Sequence, residues 1–273
     1  MSEIIRLVIC DADRTLANKD RMLSERTKEM IAKLGEKGIL FGIASGRPVE
    51  DSLRFCERWG LPEQPDVMIG NNGCELWLRE GDQMHTYHTL KREILEGIVR
   101  EMAERFPFAN PQMYIPGTLL VGFEDIWYLG SAQRAGREPR IAESLDEFYA
   151  TDNAKIMYRV PEVRMDEVET WWKQHASEDF VSFRTQPTMF EFSNPAASKG
   201  DALLRWCEMS GTSPEQVMAF GDDQNDLSMI EVCVGVAVEN AISAVKEAAH
   251  YVTEFDHDHD GVAEFVETHV LNA

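Results

Sequence analysis

The apolar runs at 4–9, 39–44 and 66–70 are short, rich in β-branched residues and scarcely interrupted by polar ones. Runs of this kind read as strands buried on both faces. A segment with helical spacing separates the first two. In it Ser24 can cap, Met30, Ile31 and Leu34 share a face, and Gly38 can end the helix. Another helix is predicted to begin near Pro48. Strand, helix, strand, helix, strand with continuous apolar strands is the pattern of a parallel, doubly wound sheet. The same rhythm returns near the C-terminus, with a helix over 199–209 and a strand over 217–221. It continues through a short helix at 225–230, a strand at 234–238, a helix at 242–249, a short strand at 251–253 and a helix near 261–269.

The middle of the chain breaks that rhythm. Residues 74–78 and 83–88 flank Glu80-Gly81-Asp82 and predict a β-hairpin. A helix over about 90–105 follows. Residues 107–150 are irregular, with short strand candidates and several Pro and Gly. A strand at 155–160, a helix around 163–175 and strand candidates at 180–184 and 189–192 complete the segment. The expected organisation is therefore α/β, with a core over 1–85 and 188–273 and an α+β domain inserted at 86–187. A length of 273 residues accommodates two such domains.

Charge narrows the partners. Lys and Arg number 27 against 48 acids, a net charge of −21, which disfavours nucleic acid and anionic membranes. The plainest reading of that charge is solubility. No apolar run reaches the roughly 18–20 residues of a membrane span, and no signal peptide is legible at the N-terminus. Five cysteines, an odd number with no Cys-x-x-Cys, predict free buried thiols in a reducing, cytoplasmic setting.

Polar groups suited to one reaction stand at the ends of the predicted strands or at the head of a helix. Asp11 and Asp13 follow the first run, with Thr15 behind them. Ser45-Gly46-Arg47 follows the second. Lys199 opens a helix after Ser198, where the helix dipole gives a cation no benefit, so its position suggests a neighbouring anion. Gly221-Asp222-Asp223-Gln224-Asn225-Asp226 follows a fourth run. Open α/β sheets bind ligands at their carboxyl strand ends. Two clustered acids need an offsetting charge, and a divalent cation supplies one. Taken singly, each motif has a plainer explanation: a surface turn for Asp-x-Asp, a helix cap for Asp222, a solvated side chain for Lys199.

Taken together, the motifs resemble the haloacid dehalogenase superfamily of phosphohydrolases, in particular its Cof-type sugar-phosphatase branch. Asp11-Ala12-Asp13-Arg14-Thr15 matches Asp-x-Asp-x-Thr, Ser45 the second motif, Lys199-Gly200 the third, and Gly221 to Met229 the fourth, Gly-Asp-x-x-Asn-Asp-x-x-Met. Residues 235–241 and 260–262 also look like this branch. The resemblance implies a Rossmann-like core with the insert as a cap that selects substrate. It implies that Asp11 attacks phosphorus to form an aspartyl-phosphate and that Asp13 protonates the leaving alcohol, then activates water. It places Mg²⁺ on the Asp11 carboxylate, the Asp13 carbonyl and Asp222, with Asp226 supporting the cluster from outside the ligand set. Ser45, Lys199 and Asn225, with the Ala12 and Gly46 amides, would clamp the phosphoryl group. Lys199 and the metal would then override the acidic global field.

The implied activity is hydrolysis of a small phosphorylated metabolite, a sugar phosphate above others. A phosphotransferase or mutase on the same fold is an alternative, as is a non-catalytic phospholigand-binding protein. The family usually has Gly after the second aspartate. Arg14 stands there instead, either turned outward or contacting substrate. Arg47 either contacts the substrate phosphate or pairs with an acid across the domain junction. The tetrapeptide His257-Asp258-His259-Asp260 reads as a polar loop rather than a metal site. Of Trp171 and Trp172, adjacent on a helix, at least one is expected to pack inside; with Trp127 they could alternatively form a sugar-stacking platform.

Overall fold

The computed structural model describes residues 4–61 and 63–272. The chain divides into two compact units, residues 1–87 with 198–273 and residues 88–197.

In the first unit, strands β1 (Leu7–Asp11), β2 (Leu40–Ala44) and β3 (Val67–Gly70) carry the three leading apolar runs. The hairpin is β4 (Glu75–Leu78) and β5 (Gln83–Thr86). Numbering strands along the whole chain, β12 (Val217–Gly221), β13 (Val234–Ala237) and β14 (Tyr251–Val252) lie near the C-terminus. All eight form one sheet in the order β14-β13-β12-β1-β2-β3-β4-β5. It is parallel from β14 to β3 and antiparallel at the hairpin. Helices α1 (Glu25–Glu36) and α2 (Val49–Trp59) connect the first strands, and Ser24 caps α1 by accepting the Thr27 amide. Helices α6 (Lys199–Ser210), α7 (Leu227–Val232), α8 (Ser243–Ala248) and α9 (Gly261–Val266) belong to the C-terminal part. Side chains of β1 alternate between two cores. Val8 and Cys10 pack with α1, α2 and α9 residues, whereas Leu7 and Ile9 pack with Leu203 and Trp206 of α6. A strand covered on both faces has no reason to alternate polar with apolar, hence the continuous runs.

The second unit has a six-stranded sheet of β6 (Asn110–Ile115), β7 (Thr118–Val121), β8 (Glu138–Ile141), β9 (Lys155–Arg159), β10 (Val181–Gln186) and β11 (Met189–Ser193). Its order is β10-β11-β9-β6-β7-β8. Helix α4 (Tyr128–Ala135) lies between β7 and β8 in sequence. Ile156, Tyr158, Phe190 and Phe192 on one sheet face form a core with α3 (Arg92–Arg105) and α5 (Met165–Gln174). The opposite face presents Gln112, Met157 and Glu191 in register, and there Lys155 Nζ lies 3.1 Å from Glu191 Oε2. The unit ends at Ala197, ten residues beyond the expected 187. The expected limit falls just ahead of β11, which pairs with β9 and β10 and so belongs to this unit.

Trp172 is buried beside Phe192, while Trp171 stacks on His175 at 3.7 Å and has Arg105 over its ring at 3.7 Å. A ring flanked in this way is not a free stacking platform. All five cysteines are buried and none forms a disulfide. No helix among the described residues is long and apolar enough to cross a membrane.

Candidate active site

The register of the first sheet assembles the site. Asp11 ends β1 opposite Ala44 of β2, so Ser45 is one residue past its neighbour. On the other side Cys10 pairs with Phe220, so Gly221 and Asp222 run out beside Asp11. The central strands therefore deliver Asp11, Ser45 and Asp222 to one edge, although 211 positions separate Asp11 from Asp222 in sequence.

Lys199 opens α6 and is fully buried. Its Nζ donates to Asp11 Oδ1 and to Asp226 Oδ1, each at 2.6 Å. Asp226 Oδ2 accepts the amides of Asp222 at 2.9 Å and Asp223 at 3.1 Å, which fixes the acidic loop. Gly221 makes this possible, because a Cβ there would stand 2.5 Å from the Asp226 Cβ. Asp222 Oδ1 accepts the Thr15 hydroxyl at 3.2 Å, and the Arg14 Nε lies 3.7 Å from Asp222 Oδ2.

Burial works against the Lys199 ammonium, but Asp11 and Asp226 outweigh it and hold its pKa above the ordinary lysine value. Burial also pushes Asp11 up to about 8; Lys199 opposes that rise, while the charges of Asp226 and Asp222 add to it. Asp222 is raised to about 6, by burial first and by Asp226 next, with Arg14 and Thr15 pulling the other way. These carboxylates are short of positive charge. Ligand atoms of Asp11, Asp222 and Asp226 all lie within 4.8 Å of one another. Three buried oxygen donors with one lysine among them are a donor set that fits a hard divalent cation such as Mg²⁺.

The other site residues form a second cluster. Arg47 donates to Asp13 Oδ2 through Nη2 at 2.7 Å and Nε at 3.2 Å, and its guanidinium lies over the Phe55 ring at 4.7 Å. Its acid partner is thus a member of the first motif, not a residue across the domain junction. Arg21 Nε is 3.9 Å from Asp13 Oδ1. Ser45 is buried, and its Oγ accepts the Arg47 amide at 3.1 Å. Ala12 is buried too, with its carbonyl taking the Ala17 amide at 2.9 Å. Asn225 is exposed and donates to Asn72 Oδ1 at 3.1 Å. A Cβ on Gly46 would meet the same Asn72 oxygen at 3.1 Å.

Asn72 is a residue that the motifs did not single out. It follows β3 in a turn where Asn71 and Asn72 have φ of +49° and +54°. Asparagine is among the few side chains that tolerate this region, and the Asn-Asn-Gly after an apolar run was the available signal. Arg14 is also left-handed, at +63°, which accounts for the glycine usual at this place. Its side chain is 61% exposed, turned outward yet within reach of Asp222. The 257–260 loop is a short 3₁₀ turn tied into the fold. Asp256 caps it, Asp258 accepts the Lys19 amide at 2.7 Å and Asp260 accepts the Ser24 hydroxyl.

A family model for haloacid dehalogenase-like hydrolases matches residues 8–266. The chain is 26% identical over 270 residues to 5-amino-6-(5-phospho-D-ribitylamino)uracil phosphatase YcsE of Bacillus subtilis (strain 168), covering 98% of this chain and 96% of that protein. Among solved structures it is similar to a haloacid dehalogenase-like hydrolase from Bacteroides thetaiotaomicron, with TM-score 0.86, 27% identity and coverage of 97% and 99%. It is likewise similar to TM0651 from Thermotoga maritima, with TM-score 0.86, 26% identity and 97% of each chain covered. The chain belongs to the haloacid dehalogenase-like hydrolases.

Proposed function

We propose that this hydrolase is an Mg²⁺-dependent phosphomonoesterase acting on a small phosphorylated metabolite through an aspartyl-phosphate. The observation that carries the reading is the buried Lys199 bonded at 2.6 Å to both Asp11 and Asp226, beside Asp222. Asp11, Asp222 and the Asp13 carbonyl would hold Mg²⁺. Both oxygens of Asp226 already accept bonds from the chain, which suits it to bracing the cluster. The ion would supply Lewis-acid charge to the phosphoryl oxygens.

The chain's own groups would do the rest. Lys199 fixes the Asp11 carboxylate by one oxygen, leaving Oδ2 to attack phosphorus as the P–O bond to the alcohol breaks. Asp13 is partly exposed, and its proton would pass to the departing alkoxide. In the second half Asp13 would take a proton from water, which attacks the aspartyl-phosphate and frees Asp11. Ser45, Asn225 and the amides of Ala12 and Gly46 would donate to the phosphoryl oxygens, with Lys199 as the cation. Arg47 would orient Asp13 rather than touch the phosphate.

The inserted unit would select the leaving group. Phosphatases YcsE and YitU of Bacillus subtilis are named for a substrate that carries its phosphate on a ribityl chain, which favours a sugar or polyol phosphate here. The test is phosphate release from a panel of phosphorylated metabolites with and without Mg²⁺. Asp11→Asn is expected to lower turnover by on the order of 10³-fold or more. Mg²⁺-dependent release surviving in that variant would exclude Asp11 as nucleophile. Loss of substrate without free phosphate would point to transfer onto a second sugar.

A further inference from the structure

Position 14 is where this chain departs from its family's pattern, and the backbone there makes the departure costly. A left-handed residue with a Cβ is disfavoured relative to glycine. Asn240 nevertheless pins the conformation, its Nδ2 donating to the Arg14 carbonyl at 2.8 Å. What the arginine adds is charge. Its Nε lies 3.7 Å from Asp222 Oδ2, while Thr15 occupies Oδ1. The cations near the acidic residues differ in freedom. Lys199 is fully buried and bonded to two acids, and Arg47 is forked onto Asp13. Arg14 reaches Asp222 from solvent, beyond hydrogen-bond distance, on a mostly exposed side chain that can withdraw.

We propose that Arg14 is a built-in competitor of the divalent cation. It lends positive charge to Asp222 when the metal is absent, and so weakens metal binding relative to an uncharged residue at this position. The inference rests on the reading of Asp222 as a metal ligand. A divalent ion in direct contact with the carboxylate outcompetes a guanidinium held at 3.7 Å. It must still displace or coexist with a like charge, and both reduce its net affinity. Because Arg14 is exposed, salt screens the effect.

The test is calorimetric titration of Mg²⁺ into the whole protein, comparing wild type with Arg14→Gln, Arg14→Lys and Arg14→Gly. Gln keeps the strained backbone and removes the charge, whereas Gly removes both. The expected result is binding on the order of three- to tenfold tighter for Gln and Gly, with Lys within about twofold of wild type. The difference should shrink in about 0.5 M KCl. An Arg14→Gln affinity equal to or weaker than wild type overturns the proposal. So does tightening confined to Arg14→Gly, which would make backbone strain the cause. Absence of Mg²⁺ binding to wild type would instead defeat the metal reading itself, a result distinct from wild-type binding that Arg14→Gln leaves unchanged.

Discussion

A lysine between two aspartates and a third acid alongside form a buried group with more negative than positive charge. The sign of its pH dependence follows from the raised carboxylates. Asp11 at about 8 and Asp222 at about 6 bind protons in the folded protein that the unfolded chain, with carboxylates near 3.8, has already released. Metal-free stability is therefore highest at the acid end of that window and falls as pH climbs toward 8. The Lys199 ammonium, held above its ordinary value, does not titrate there. We expect the melting temperature of metal-free protein to decline between pH 5 and 8, and Mg²⁺ to remove the decline by binding the deprotonated acids. A flat metal-free profile would mean that these carboxylates are not charge-starved. Asp11, Lys199, Asp222 and Asp226 were legible in the sequence because each sits within a short motif at an element boundary. Asn72 was not, since its role arises from a left-handed turn and a contact with Asn225 across 153 positions. The Arg47–Asp13 pair was equally hidden, because nothing local distinguishes one acid partner from another.

At the scale of elements, the site depends on how closely α6 approaches α7. A Cβ on Gly200 would stand 2.3 Å from the Ser228 carbonyl oxygen, and backbone cannot yield as a flexible side chain does. Gly200→Ala should therefore cost about 1–3 kcal/mol in urea unfolding, as overpacking does, and lower activity by moving Lys199 away from Asp226. Gly97 in α3 is the control, with nothing within 4 Å of its missing Cβ. Alanine there should stabilise by roughly 0.5–1 kcal/mol through helix propensity. Equal effects at the two positions would remove close packing as the explanation. The parallel strands were readable because burial on both faces leaves an unbroken apolar run; Val217–Gly221 matches its expected limits. β6 to β8 were readable only as short strand candidates without limits, since strands of four to six residues in a region rich in Pro and Gly are defined by pairing. β11 shows the same limit in reverse, because its apolar sequence does not state which sheet it joins.

For the molecule as a whole, the excess of 48 acids over 27 basic residues opposes the approach of an anionic substrate. The cations nearest the site do little to reverse this at a distance, since Lys199 is balanced by two acids and Arg47 by Asp13. The attraction expected of bound Mg²⁺ is short-ranged, whereas the repulsion is summed over the surface and acts at long range. The two therefore respond differently to salt. Between about 0.01 and 0.15 M ionic strength the Debye length contracts from roughly 30 to 8 Å, which removes the long-range term and leaves contacts within the site largely intact. At fixed, saturating Mg²⁺, kcat/KM for a phosphorylated substrate should then rise severalfold with added KCl, and kcat should stay constant because the chemical step is internal. Steady-state kinetics across that range decide the matter. A fall in kcat/KM would mean that the site's own field already governs approach, and that the acidic surface lies too far from the entrance to be felt.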